Sequence, residues 1–192
     1  MKSSLRFSRW SALFGALLLG TMSLAHAANP ALAAALKVGD TAPNFTLRTL
    51  EGRAVELQPL VEKSPVVLVV LRGYPGYQCP LCTKQVQDFV ARAAEFKARG
   101  AQVLLVYPGP ADKLEARAAE FLKDKNWPAD FVLMVDPDYA FTDAYGLRWN
   151  GKNETAYPST FVIGRGRTVQ FAQVSKTHGN RVSAAQAIAA LK

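Results

Sequence analysis

The sequence has few of the residues that hold metals or haem. It contains two cysteines and two histidines in 192 residues. The cysteines are Cys79 and Cys82, in "RGYPGYQCPLCTKQ". A structural zinc site needs four ligands, and beyond the N-terminal segment the pair is joined only by the distant His178. Covalent haem attachment needs a histidine directly after the second cysteine, where this chain has Thr83. We therefore expect neither a metal nor another cofactor.

The sequence also lacks an apolar run long enough to span a membrane. The run Trp10–Leu24 follows three cationic residues and ends in "AHA", and it is shorter than the roughly 20 residues of a spanning helix. This pattern is typical of a secretory signal cleaved after Ala27. We therefore expect an exported protein, periplasmic if bacterial, without stable membrane insertion after cleavage. The predicted organisation is a signal peptide at 1–27, a connector at 28–37 and one domain at 38–192.

Long blocks of like charge are absent as well. The formal net charge is +8, but lysines and arginines alternate with acidic residues instead of clustering. This pattern predicts a solvated surface and no nucleic-acid partner.

Strand-like and helix-like segments alternate through the domain. The apolar run Val66–Leu71 predicts a strand buried on both faces. From Pro80 the apolar period becomes helical, with Leu81 on the inner face, and Gly100 is a natural stop. The other predicted elements are a hairpin of Phe45–Arg48 with Ala54–Leu57, strands at Val103–Tyr107 and Phe131–Val135, helices near Lys113–Lys125, Tyr139–Tyr145 and Ser183–Leu191, and a hairpin of Thr160–Ile163 with Val169–Val174. This order predicts an α/β fold with a mixed central sheet flanked by helices and an N-terminal β-hairpin.

The two cysteines fall where a central strand ends and a helix begins. Pro80 suits the first helical turn, which places Cys79 at the N-cap and Cys82 one turn inside. A disulfide between them would close a short loop and contribute roughly 2 kcal/mol, little for a domain with its own core. The first-turn N–H groups and the helix dipole stabilise a thiolate at this position. The placement therefore favours redox chemistry.

Two motifs resemble the redoxin group of the thioredoxin superfamily, the alkyl hydroperoxide reductase and thiol-specific antioxidant (peroxiredoxin) family. They are "KVGDTAPNFTL" and "PGYQCPLCTKQ", and the resemblance covers the mature chain. It implies a thioredoxin-like fold, with Pro75 as the proline that shields the site and Cys82 as the peroxidatic cysteine. Such a cysteine attacks a hydroperoxide substrate, and the resulting sulfenic acid is resolved by a second thiol. The family implies an external, thioredoxin-like dithiol as reductant.

The chain departs from this family at two positions. The family's Thr or Ser is replaced by Cys79, which creates the C-x-x-C of thioredoxin-type disulfide exchangers. The family's later arginine is replaced by Pro158 before "STFVI", which resembles the cis-proline facing the cysteines in thioredoxin-like oxidoreductases. Arg72 and Arg148 are the candidates to replace that arginine, and Tyr77 is a candidate for the wall of a substrate pocket.

Three hypotheses remain open on the sequence. In a thiol peroxidase, Cys82 attacks the peroxide and Cys79 resolves the sulfenate. In a thiol–disulfide oxidoreductase acting on exported proteins, an exposed Cys79 attacks and Cys82 resolves, with Pro158 in the cis form. In a redox-sensing module, neither cysteine is turned over.

Overall fold

The computed structural model describes residues 34–73 and 76–192. The predicted signal peptide at 1–27, most of the connector at 28–37, and Pro75 lie outside the described residues. Within the described ranges, no helix is both long and apolar enough to cross a membrane.

The described part of the chain forms seven strands, six α-helices and one short 3₁₀ helix. In chain order they are β1 Thr46–Thr49, β2 Ala54–Glu56, α1 Leu57–Val61, β3 Val66–Val70, α2 Pro80–Ala91, α3 Ala93–Ala98, β4 Gln102–Gly109, α4 Leu114–Leu122, β5 Phe131–Pro137, α5 Ala140–Ala144, β6 Ser159–Ile163, the 3₁₀ helix Arg165–Arg167, β7 Val169–Val174 and α6 Ala184–Ala189.

The strands form one mixed sheet in the order β2-β1-β5-β4-β3-β6-β7. Strands β3, β4 and β5 are parallel, while β6 runs antiparallel to β3 and β7 antiparallel to β6. In this register Ser159 lies opposite both Val70 and Val174. The end of β3, the start of β6 and the end of β7 therefore lie side by side at the same end of the sheet. The cysteine loop begins there. The predicted mixed sheet and N-terminal hairpin are confirmed.

Strand β3 is buried on both faces, as predicted. Val67 and Val69 belong to a core shared with α2, α3, α4 and α6. Leu68 belongs to a second core, shared with α1 and α5. Because alternate side chains of a strand point to opposite faces, one apolar run serves both layers.

Two details of the helix predictions are wrong. The helix expected from Pro80 to Gly100 is divided at Arg92, whose φ of −109° and ψ of 18° interrupt the helical path between α2 and α3. Leu81, predicted to face inward, is 40% exposed. The inner face is set instead by Cys82 and residues three, four and seven positions later, a spacing that leaves Leu81 rotated by about 100° toward solvent. The helix α1 was not predicted. It begins at Leu57, which was expected to be the last residue of the second hairpin strand.

Candidate redox-active site

The cysteine pair lies at the beginning of α2, with Cys79 as the N-cap residue and Pro80 in the first turn, as predicted. Neither forms a disulfide, and Cys79 and Cys82 are only 3% and 1% exposed. The expectation of an exposed Cys79 is therefore wrong. Its side chain belongs to the core beneath α2, and the guanidinium of Arg181 lies against it.

The sulfur of Cys82 is held by the backbone at the end of β3. The amide N–H of Arg72 donates to this sulfur at 3.1 Å, and the Arg72 carbonyl oxygen lies 3.1 Å from it. Burial is the main reason that the pKa of Cys82 is raised well above its usual value, and the hydrogen bond to Cys79 adds to the effect. Cys82 is therefore held as a neutral thiol.

The pKa of Cys79 is shifted in the opposite direction, to a lower value. A hydrogen bond from the Cys82 side chain is the largest influence, and it outweighs burial, so the pKa of Cys79 is lowered to about 5. The amide N–H groups of Cys82 and Leu81 and the charge of Arg181 act in the same direction. Cys79 is a thiolate at neutral pH.

Arg181, in the loop after β7, was missed by the sequence reasoning. Its Nη1 donates to the Cys82 sulfur at 3.3 Å, and its Nη2 donates to the Cys79 sulfur at 3.5 Å. One guanidinium therefore bridges both cysteines, and its planar fork suits two acceptors side by side. Its charge favours the thiolate form of either cysteine.

Gln85, a buried residue of α2, fixes the position of this guanidinium. Its Oε1 accepts a hydrogen bond from Nη1 of Arg181 at 3.4 Å. Its Nε2 donates to the carbonyl oxygen of Val182 at 3.0 Å and to Oγ1 of Thr160 at 3.3 Å. Gln85 therefore ties the arginine, its loop and β6 together.

Arg72 lies on the other side of the pair, as one of the predicted stabilisers. Its guanidinium forms a two-pronged ion pair with the Glu154 carboxylate, including Nη2 to Oε1 at 2.9 Å. It also lies 5.7 Å from the ring centre of Tyr77, which is exposed. Burial opposes the charge of Arg72, but the bonds to Glu154 and a further bond to Cys79 raise its pKa overall. Arg72 is thus brought to the cysteines, and Tyr77 lies beside its guanidinium.

A family model described as AhpC/TSA matches residues 38–172. The chain belongs to the AhpC/TSA family. Solved structures of related proteins confirm the thioredoxin-like fold. The structure of a thiol:disulfide interchange protein DsbE from Chlorobium tepidum has a TM-score of 0.60 and 28% identity, over 82% of this chain and 100% of that chain.

Two curated relatives are named as peroxiredoxins. Peroxiredoxin Q of rice chloroplasts is 32% identical over 133 residues, which are 69% of this chain and 57% of that protein. A protein described as peroxiredoxin bcp from Helicobacter pylori is 37% identical over 133 residues, covering 67% of this chain and 81% of that protein. The chain thus spans little more than half of the rice protein. The names of these related proteins include both peroxiredoxins and a thiol:disulfide interchange protein.

Arg148, the second arginine considered as a replacement for the family's arginine, is bound elsewhere in this AhpC/TSA member. Its Nη1 donates to the carbonyl oxygens of Trp149 at 2.9 Å and Thr155 at 2.6 Å. Its guanidinium carbon lies 3.7 Å from the ring centre of Tyr139. These contacts shape the loop before β6, and the structure does not place Arg148 with the cysteines.

Pro158 is buried immediately before β6, but the expected cis form is wrong. The described residues, 34–73 and 76–192, include no cis peptide bond. The chain around Pro158 continues the extended hydrogen bonding of the sheet, since its carbonyl oxygen accepts from the amide of Ser175 at 2.9 Å. The amide of Tyr157 donates to the carbonyl oxygen of Leu147 at 2.8 Å. A trans bond satisfies both contacts, and Pro158 lines a small surface depression with Gln85 and Arg181.

Tyr107, at the end of β4, anchors both ends of the cysteine loop. Its hydroxyl donates to Oε1 of Gln78 at 2.9 Å. A Cβ atom at Gly73 would lie only 2.6 Å from the Tyr107 oxygen, so this position requires glycine. Nε2 of Gln78 donates to the carbonyl oxygen of Arg117 at 2.9 Å, which ties the residue before Cys79 to α4. The loop is thereby fixed on both sides of the segment that contains Pro75.

Proposed function

We propose that the protein is a thiol–disulfide oxidoreductase in which Cys79 is the nucleophile and Cys82 the resolving thiol. The observation that carries this proposal is the division of roles within the pair. Cys79 is the N-cap residue with a pKa lowered to about 5, chiefly by its hydrogen bond from Cys82. Cys82 is buried, and its pKa is raised. Because a thiolate attacks a disulfide and a thiol does not, Cys79 reacts first.

The proposed cycle transfers two electrons. The Cys79 thiolate attacks one sulfur of a substrate disulfide and forms a mixed disulfide, while the other substrate sulfur leaves as a thiolate and takes up a proton. Cys82 then loses its proton and attacks the Cys79 sulfur. The second substrate thiol is released, and a Cys79–Cys82 disulfide remains. The substrate has gained two electrons and two protons, and an external dithiol, thioredoxin-like as the family resemblance implies, restores the pair.

The position of Arg181 suits both steps of this cycle. In the free dithiol, the charge on Cys79 raises the pKa of Cys82. Once Cys79 is in a mixed disulfide this charge is gone, while the charge of Arg181, whose Nη1 lies 3.3 Å from the Cys82 sulfur in the free dithiol, remains. The guanidinium then stabilises the ionised resolving thiol, so ionisation passes from Cys79 to Cys82 in the order that the chemistry needs.

A second candidate function is a thiol peroxidase, and two relatives named as peroxiredoxins favour it. In this reaction the thiolate attacks a peroxide oxygen, the O–O bond breaks, and water or an alcohol leaves. Cys82 then condenses with the Cys79 sulfenic acid and releases water, giving the same disulfide. The charge distribution again favours Cys79 as the attacking group. The sequence-based assignment of this role to Cys82 would require a buried thiol of raised pKa to ionise.

The rates of reaction with disulfides and with peroxides separate the two functions. We expect the reduced protein to react with glutathione disulfide at pH 6 about tenfold faster than free cysteine does. The larger thiolate fraction outweighs the lower nucleophilicity of a thiol with a low pKa. Stopped-flow tryptophan fluorescence measures both rates, with hydrogen peroxide and cumene hydroperoxide as the competing oxidants. Peroxide oxidation that exceeds disulfide exchange by orders of magnitude would establish the peroxidase instead.

We propose that the protein is exported and that residues 1–27 are removed. The proposal is supported by the cationic start, the apolar run and the "AHA" pattern. We expect the full chain, expressed in a bacterial host, to be recovered from the periplasmic fraction with Ala28 as its first residue. Intact-mass measurement of each cell fraction provides the check. A chain that retains residues 1–27 in the cytosol or the membrane would contradict the proposal.

A further inference from the structure

The carboxylate of Glu154 is linked to both Arg72 and Arg181, the two arginines of the redox site. Glu154 lies in the loop between α5 and β6, and its side chain is nearly buried. Towards Arg72 the contact is direct, because Nε and Nη2 of the guanidinium both donate to the carboxylate oxygens. Arg72 also donates to the carbonyl oxygen of Asn153 at 3.4 Å, so the loop before β6 holds this arginine through two neighbouring residues.

Towards Arg181 the contact runs through His178. Nε2 of His178 lies 2.8 Å from Oε1 of Glu154, and the carbonyl oxygen of His178 accepts from Nε of Arg181 at 3.0 Å. The His178 ring also packs on Trp149, with ring centres 5.1 Å apart. The loop that carries Arg181 is therefore docked onto the loop that carries Glu154.

We propose that Glu154 is a positioning residue that holds both arginines against the cysteine sulfurs, Arg72 directly and Arg181 through His178. The inference deepens the proposed function and rests on it in one respect, that Cys79 is the thiolate. Glu154 touches neither sulfur in this arrangement and acts only through the two cations. It thereby sets the ionisation of a cysteine that is remote from it in the sequence.

The sign of the expected effect separates positioning from simple electrostatics. A carboxylate near a thiolate repels it, so removing the carboxylate should make Cys79 ionise more easily. Glu154 is paired, however, with Arg72 and His178, whose hydrogen bonds overcome burial and lower its pKa. The repulsion between the Glu154 carboxylate and the Cys79 thiolate is thus largely cancelled by these partners. Removing Glu154 instead frees two cations to leave the sulfurs, which should make Cys79 ionise less easily.

The experiment measures the pH dependence of iodoacetamide alkylation, with the labelled cysteine identified by peptide mass spectrometry. We expect Glu154→Ala to raise the midpoint for Cys79 by about one pH unit and to slow alkylation at pH 5 roughly fivefold. Glu154→Gln keeps one acceptor oxygen and should fall between this variant and the wild type. His178→Ala breaks the link between Glu154 and Arg181 while the bonds of Glu154 to Arg72 remain, and it should raise the midpoint by about half a unit. His178 is 51% exposed, so this second variant tests the inference even where Glu154→Ala does not fold.

Two controls isolate the positioning role. In an Arg181→Leu background, His178→Ala should move the midpoint much less, because its link to Arg181 is gone. Glu95→Ala removes another carboxylate, one paired with Arg92 on the surface, and should leave the midpoint unchanged or slightly lower. An unchanged or lowered midpoint in both Glu154→Ala and His178→Ala would overturn the inference. Labelling of Cys82 in the wild type would instead overturn the proposed function, so the two failures are distinguishable.

Discussion

Cys79→Ser is expected to lower the rate of disulfide reduction at pH 7 by on the order of 10³-fold or more, whereas Cys82→Ser is expected to stop the cycle one step later. The reason is the division of ionisation within the pair. Without Cys79, the remaining thiol is Cys82, which is buried and has a raised pKa. Without Cys82, the thiolate still attacks, but no second thiol releases the substrate.

Reaction with the aromatic disulfide 5,5′-dithiobis(2-nitrobenzoate) reports both steps in one absorbance trace. The wild type should release two equivalents of thionitrobenzoate, the first by attack of Cys79 and the second when Cys82 resolves the adduct. Cys82→Ser should release one equivalent rapidly and keep the other as a mixed disulfide, visible by mass spectrometry on the peptide that contains Cys79. Cys79→Ser should show neither fast phase.

A matched pair of variants at position 82 supplies the control. Serine keeps a hydroxyl that donates to the Cys79 sulfur, so the first burst should remain close to the wild-type rate at pH 6. Cys82→Ala removes the hydrogen bond that contributes most to the lowered pKa of Cys79, so its burst at pH 6 should be slower. A burst at the wild-type rate in Cys79→Ser would show that Cys82 is the nucleophile and would contradict the proposed division of roles.

The placement of the cysteines was predictable because it depends on local chemistry. An apolar strand, a loop and a proline suited to the first helical turn are adjacent in the sequence, and they put Cys79 at the N-cap. Which side of the following helix faces the core was harder to predict. Leu81 and Cys82 are neighbours and both apolar, so the helical pattern alone did not distinguish the exposed residue from the buried one.

Arg181 was not predictable from spacing, because a loop distant in sequence brings it to the cysteines. The predicted β6–β7 hairpin contained a usable signal, however. Once β6 pairs antiparallel with β3, the start of β6 and the end of β7 must lie beside the cysteine loop. The segment "SKTHGNR" follows that end, so Lys176, His178 and Arg181 were the side chains to consider. Arg148 precedes β6 at the same edge, but its contacts with Trp149 and Thr155 depend on side-chain packing that the sequence does not specify.

The buried state of Cys79 was also beyond the sequence pattern. An N-cap residue at the surface is usually open to water, and here the covering group comes from elsewhere in the chain. Arg181 is held over the sulfurs by Gln85 and by the carbonyl oxygen of His178. Each of these contacts joins residues from different elements, so only the assembled fold shows that a cation closes the site.

Arg181→Leu is expected to raise the pKa of Cys79 by about one to two units, because a cation in contact with a thiolate stabilises it by that order. The reduction potential provides the measurement. Below the pKa of Cys79, about 5, reduction of the disulfide takes up two protons, and the potential falls by about 59 mV per pH unit. Above it, Cys79 stays ionised, one proton is taken up, and the slope is about 30 mV per pH unit.

The change of slope in the wild type should therefore lie near pH 5, and in Arg181→Leu it should move to higher pH. Above the new change of slope, the potential of the variant should be about 30 mV lower for each unit by which the pKa rises, since the reduced state has lost stabilisation. Equilibration with glutathione from pH 4 to pH 8 gives both quantities. Arg181→Lys keeps the charge but not the two-pronged contact, so it should fall between the two.

A remote arginine tests whether contact or net charge is responsible. Arg92 lies at the opposite end of α2 and pairs with Glu95 on the surface. Arg92→Leu changes the net charge by the same amount as Arg181→Leu, yet it should leave the potential within a few millivolts of the wild type because surface charges are screened by solvent and salt. Equal shifts in the two variants would mean that the overall field of this basic protein, and not the guanidinium between the two sulfurs, sets the ionisation of Cys79.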